Sequence, residues 1–102
     1  MPDEPKKVSF DLGPLVATPG ALKVLEENNM TPAELLARHV SGDWGNLCEE
    51  DKAANAVALQ KGARIMSSYT LPDKSIIWVI TDAEIDEHHH RYATTLLLPE
   101  DY

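Results

Sequence analysis

The chain contains a single cysteine, Cys48, so it cannot close an internal disulfide, and a reducing, cytoplasmic setting is the expectation. No apolar run approaches the roughly 18–20 residues needed to span a bilayer. The opening Met-Pro-Asp-Glu-Pro-Lys-Lys has no apolar core behind it, and a secretory leader is therefore not expected. Basic residues are scarce. Nine Lys and Arg stand against seventeen Asp and Glu, giving a net charge of −8. That argues against non-specific binding to nucleic acid, which depends on cations neutralising phosphates. There is no glycine-rich phosphate loop and no serine in an elbow motif, so a nucleotide-binding or hydrolytic enzyme has no support. The expectation is a non-enzymatic protein with no cofactor.

What is present reads as one soluble domain. Apolar residues make up 43% and charged residues 25%, the balance of an ordinary globular chain. Residues 1–7, charged and with two prolines, read as a flexible tail, and residues 8–102 as a single α+β domain. Ile76 to Ile80, inside Ser75-Ile-Ile-Trp-Val-Ile-Thr81, are all β-branched or aromatic. They predict a central strand, buried on both faces or nearly so. Arg64 to Leu71 alternates Ile65, Ser67, Tyr69 and Leu71 against Arg64, Met66, Ser68 and Thr70, the period of a strand. Pro72-Asp73-Lys74 suits a hairpin turn, and Tyr92 to Leu98 offers a third strand ended by Pro99. Val8, Phe10 and Leu12 also alternate, which suggests an added edge strand closed by Gly13-Pro14.

Three helices precede the meander. Thr18-Pro19 caps and opens the first. Thr31 and Glu34 have capping-box spacing for the second, which places Leu35, Leu36, His39 and Val40 on one face. Asn46 and Glu49 have similar spacing before the third, expected over Leu47 to Lys61 and closed by Gly62. The fold expectation is three short N-terminal helices on one face of a three-stranded antiparallel sheet, four-stranded if Val8 to Leu12 joins it.

Several phrases together resemble a family of small bacterial proteins of about this length. They are Phe10-Asp11-Leu12-Gly13, Ala17-Thr18-Pro19-Gly20-Ala21-Leu22, Gly42-Asp43-Trp44-Gly45, Gly62-Ala63-Arg64-Ile65, Ile77-Trp78-Val79-Ile80-Thr81 and Thr94-Thr95-Leu96-Leu97-Leu98-Pro99-Glu100-Asp101-Tyr102. The family is described as plasmid-related or hypothetical, and some members sit beside restriction or other defence genes. The resemblance implies a mobile-element or defence context and transfers no catalytic residue. The connection Asp82 to Arg91, with its three histidines, departs from the family pattern.

Four groups of residues are candidates for function. The acidic runs Glu49-Glu50-Asp51, Asp82-Ala83-Glu84-Ile85-Asp86-Glu87 and Glu100-Asp101 are either solvated faces or, if they converge, carboxylates that imitate a phosphate backbone. Such mimicry would suit a protein partner with a basic surface, such as a nucleic-acid-binding defence complex, and an anti-restriction or anti-CRISPR role. His88, His89 and His90 are weak metal candidates; an exposed hydrophilic loop is the plainer reading, and a pH response is a further option. Trp44 is either a partner anchor or a cover for the junction between the second and third helices. His39 is expected to be a partly buried histidine bonded to a backbone group. Cys48 has acids beside it and is not expected to be a nucleophile. A monomer or a homodimer joined through a strand edge are both open, and no membrane partner is expected.

Overall fold

In the computed structural model, which describes residues 10–102, Ile76–Thr81 is the interior strand that its composition requires. The elements run β1 (Leu15–Ala17), α1 (Pro19–Glu27), α2 (Pro32–Val40), α3 (Glu49–Lys61), β2 (Ile65–Thr70), β3 (Ile76–Thr81) and β4 (Thr94–Leu97), followed by a 3-10 turn over Pro99–Asp101. The sheet has the order β1-β4-β3-β2. β2, β3 and β4 form the expected antiparallel meander, with Ser67 opposite Val79 and Val79 opposite Leu96. The β2–β3 turn closes with Leu71 N–H donating to Ser75 O at 2.8 Å and Asp73 Oδ1 accepting from Ser75 N–H at 2.9 Å.

The sheet is mixed, not purely antiparallel. Its fourth strand is Leu15–Ala17, beyond Gly13-Pro14, and it runs parallel to β4 with Val16 opposite Thr95. Phe10 to Leu12 carries no strand; Val8, and the tail of residues 1–7, lie outside the described residues. A strand of three residues leaves no periodic signal. It pairs because β4 would otherwise expose a bare edge beneath α1.

The local stop and start signals are realised. Thr18 Oγ accepts from Ala21 N–H at 3.1 Å, Thr31 N–H donates to the Glu34 carboxylate at 2.8 Å, and Gly62 ends α3 in the left-handed region with φ +74°. The start of α3 differs from expectation: its N-cap is Cys48, not Asn46. Asn46 is drawn away to β2, where its N–H donates to Ser68 O at 2.7 Å and its side-chain oxygen accepts from Thr70 Oγ at 3.0 Å.

The core forms between α1, α2 and one face of the sheet. Ala21, Leu25 and Leu35 pack against Tyr69, Leu71, Ile77, Val79 and Leu96. The inward set of β2 is the expected Ile65, Ser67 and Tyr69. α3 does not share that layer as expected. It is fastened to the outer edge of β2, where the Asn55 amide accepts from Met66 N–H at 3.1 Å and donates to Met66 O at 2.7 Å. The second face carries Trp78, with the Tyr102 ring edge-on at 5.8 Å.

Candidate functional site

Two polar groupings stand out, one sealed inside the molecule and one on its surface. The sealed one begins at His39, near the end of α2, which the 3.6-residue period turns toward the sheet. Its ring meets side chains from two strands, and through one of them a third. Nδ1 lies 2.5 Å from Ser67 Oγ on β2, and Nε2 lies 2.9 Å from Thr81 Oγ on β3. Thr81 Oγ lies 2.8 Å from Thr94 Oγ on β4, and Thr94 Oγ donates to Leu12 O at 2.7 Å. His39, Ser67, Thr81 and Thr94 are all fully buried.

The direction of this chain follows from its last link. A carbonyl only accepts, so the Thr94 hydroxyl proton is committed to Leu12 O. Thr81 must then donate to Thr94, and His39 Nε2–H to Thr81. Nδ1 faces the Ser67 hydroxyl, which donates to it while the ring is neutral. Charging the ring would place a cation in a fully buried site. Burial pushes the His39 pKa down from 6.5 to about 4, and the Arg91 charge adds to the effect. The sequence reading of His39 as partly buried and bonded to backbone is corrected on both points. Its partners are hydroxyls supplied by strands remote in sequence.

Aromatic rings close the remaining side of the imidazole. Phe10 stands edge-on at 5.4 Å and Trp44 at 5.7 Å. Trp44 is half-buried, and its carbonyl accepts from Ser68 N–H at 3.1 Å, so it covers the junction after α2. Gly45 follows because only hydrogen fits: a Cβ there would collide with Ser68 O, at φ +74°.

Arg91 joins this region to the surface grouping. Its side chain is only 1% exposed. Nη1 donates to Ala63 O at 2.8 Å and Asp82 O at 3.0 Å, Nη2 lies 3.6 Å from Glu84, and the backbone N–H donates to Asp11 at 3.0 Å. Among the described residues the buried Nε has no partner, and the guanidinium lies 5.7 Å from the Phe10 ring centroid. Burial lowers the Arg91 pKa against the raising effect of Glu84 and Asp11. Sequence reasoning missed this residue. Its only signal was an arginine directly between a run of histidines and a strand.

The surface grouping is the loop between β3 and β4. Ile85 N–H donates to His90 O at 2.8 Å, and Asp86 Oδ1 accepts from His88 N–H at 2.9 Å and His90 N–H at 3.1 Å. His89 Nδ1 faces Glu84 at 3.0 Å and His90 Nδ1 faces Asp86 at 2.8 Å. The hydrogen bond to Asp86, then its charge, raises the His90 pKa, and the same contact lowers that of Asp86. His89 and His90 thus take separate carboxylates. Among the described residues no three His, Cys, Asp or Glu side chains converge as metal ligands.

The acidic candidates separate into two ends. Glu49, Glu50 and Asp51 are exposed at the start of α3, with Lys52 3.7 Å from Glu49. Glu84 lies at the other end, where its N–H donates to Gly62 O at 2.8 Å. A helix of 13 residues sets these ends about 20 Å apart. Asp82 is half-buried, Glu84 is committed to Arg91 and His89, and Asp86, though exposed, is engaged by His90 and two backbone N–H groups; Glu87 is exposed. Asp101 is held by Thr18 Oγ–H at 2.7 Å. Cys48 is exposed. Among the described residues no helix is long and apolar enough to cross a membrane. No family model, curated protein or solved structure matches this chain.

Proposed function

We propose that this is a small non-enzymatic binding protein that offers carboxylates to a protein with a basic surface. The observation that carries the reading is the contrast between inside and outside. The buried hydroxyl and imidazole groups of His39, Ser67, Thr81 and Thr94 are sealed and bonded to one another, whereas Glu49, Glu50, Asp51, Asp86 and Glu87 are exposed toward the two ends of α3. With a net charge of −8, opposite charge on a partner would steer and orient encounter. In its finer form the partner is a nucleic-acid-binding defence complex of the restriction or CRISPR type. The two acidic ends then take the place of phosphates in its groove, which accords with the resemblance to proteins found beside defence genes.

The test is capture from host lysate at low and high salt, with duplex DNA as competitor. A nucleic-acid-binding partner released by salt and displaced by DNA is expected. The triple variant Glu49→Gln, Glu50→Gln, Asp51→Asn should weaken capture. Capture indifferent to salt and DNA would end the reading.

The paired loop supports a second reading, a pH-responsive accessory role, because His89 and His90 each face a carboxylate. Titrating the ring resonances of His88, His89 and His90, with and without zinc, separates this from metal binding. Zinc affinity equal to that of the triple alanine variant would remove the metal option.

A further inference from the structure

The two edges of the sheet are finished differently. The outer edge of β2 is closed: Met66 is bonded through both backbone groups to Asn55, and Ser68 through both to Trp44 O and Asn46 N–H. The outer edge of β1 is not. Thr94 N–H donates to Pro14 O and Thr18 N–H to Leu96 O, a parallel ladder in which Val16 faces β4. The N–H and C=O of Leu15 and Ala17 must then point away from the sheet, and among the described residues no hydrogen bond uses them. The side chains of this edge are apolar and bare, Leu15 at 56% and Val16 at 48% exposure, and they project to opposite faces. A bare edge with apolar residues on both faces is a template for another strand.

Charge decides which strand. Asp11 lies at the entry to β1, and Asp101, bonded to Thr18, with Glu100 lies at its exit. Antiparallel pairing with a second copy would bring the acidic entry of one chain against the acidic exit of the other, on molecules that each carry −8. A strand with basic residues at both ends meets acids at both ends instead. We infer that the outer edge of β1 receives an extended segment of a partner protein, apolar along its length and flanked by Lys or Arg. This rests on the reading of a basic partner and names the surface that partner would use.

The probe is a capped synthetic peptide of alternating valine and threonine with lysines at each end, followed by amide shifts in NMR. Binding should move the Leu15 and Ala17 amides, and a version N-methylated at alternate residues should bind at least about tenfold more weakly, because it cannot complete the ladder. Ala17→Pro removes one outward donor and leaves the bonds to β4 intact, so it should keep the fold and lower affinity by about tenfold or more. If that variant fails to fold, Leu15→Lys tests the same edge by charge without altering the backbone. Equal binding of the N-methylated peptide, or shifts confined to the acidic ends of α3, would overturn the inference while leaving the basic-partner reading standing. Peptide binding at β1 together with salt-indifferent lysate capture would do the reverse. A dimer in sedimentation that Ala17→Pro dissolves would show that the occupant is a second copy and overturn the assignment.

Discussion

His39 and His90 titrate on opposite sides of the ordinary histidine range, and the difference lies wholly in what surrounds them. His39 is fully buried, with a hydroxyl on each ring nitrogen; burial, and then the positive Arg91, lower its pKa from 6.5 to about 4. His90 is open to water beside Asp86, and its pKa is raised. Desolvation favours the neutral ring, and an adjacent carboxylate favours the charged one. The buried ring fastens α2 to β2 and β3, and through Thr81 to β4. The exposed ring only reinforces a turn that Asp86 already holds through backbone N–H groups.

The comparison can be broken most forcefully at the buried site. His39→Ala would open a cavity and orphan the Ser67 and Thr81 hydroxyls together, and a stability loss of about 4 kcal/mol is expected in urea unfolding at neutral pH. A loss below about 1 kcal/mol would mean that the hydroxyl chain does not hold the sheet to α2. Acid should act on the same group with nearly the same force. The folded pKa lies below the unfolded one, so the stabilisation from a neutral His39 is complete above pH 6.5 and disappears as pH falls toward about 4. That shift corresponds to about 3 kcal/mol. Unfolding of the wild type and of His39→Gln across this window should show the steeper decline only in the wild type. Parallel curves would place the acid sensitivity elsewhere.

The smallest effect is expected at the loop, and with opposite sign. His90 has its folded pKa raised, so its contribution is complete below the unfolded value and is lost as pH rises through the folded one. His90→Ala should therefore differ slightly from wild type at mildly acidic pH and not at all at alkaline pH. The ring resonance of His90 gives the same answer directly, titrating above the ordinary histidine value. A His90 titration below the ordinary value would dissolve the contrast on which the pair depends.

Much of the fold was legible along the chain because it rests on contacts a few residues apart. Thr18, the Thr31–Glu34 box and Gly62 announce helix boundaries by satisfying backbone groups within one turn. Alternation in β2, its tight turn and the apolar run of β3 likewise specify a hairpin. The start of α3 was misread because Asn46 has two competing uses, and the edge of β2 captures it. β1 was missed because its pairing partner lies about eighty residues away, as the register Leu15 opposite Thr94 makes plain. The one trace of the buried site was Ser67, a polar residue in the inward register of β2. Nothing local linked it to His39, Thr81 or Thr94.

Composition and periodicity alone determined the element types, the hairpin, the acidity and the exposed loop with its three histidines, because each depends on residue chemistry or on neighbours one turn away. Tertiary structure alone decided that a histidine on an apolar helix face becomes the neutral hub of a directed hydroxyl chain, that two of the three acidic runs separate to the two ends of α3, and that, among the described residues, one sheet edge is closed while the other is bare. Those outcomes depend on which remote segments meet, and chain order carries no signal for a partner several strands away.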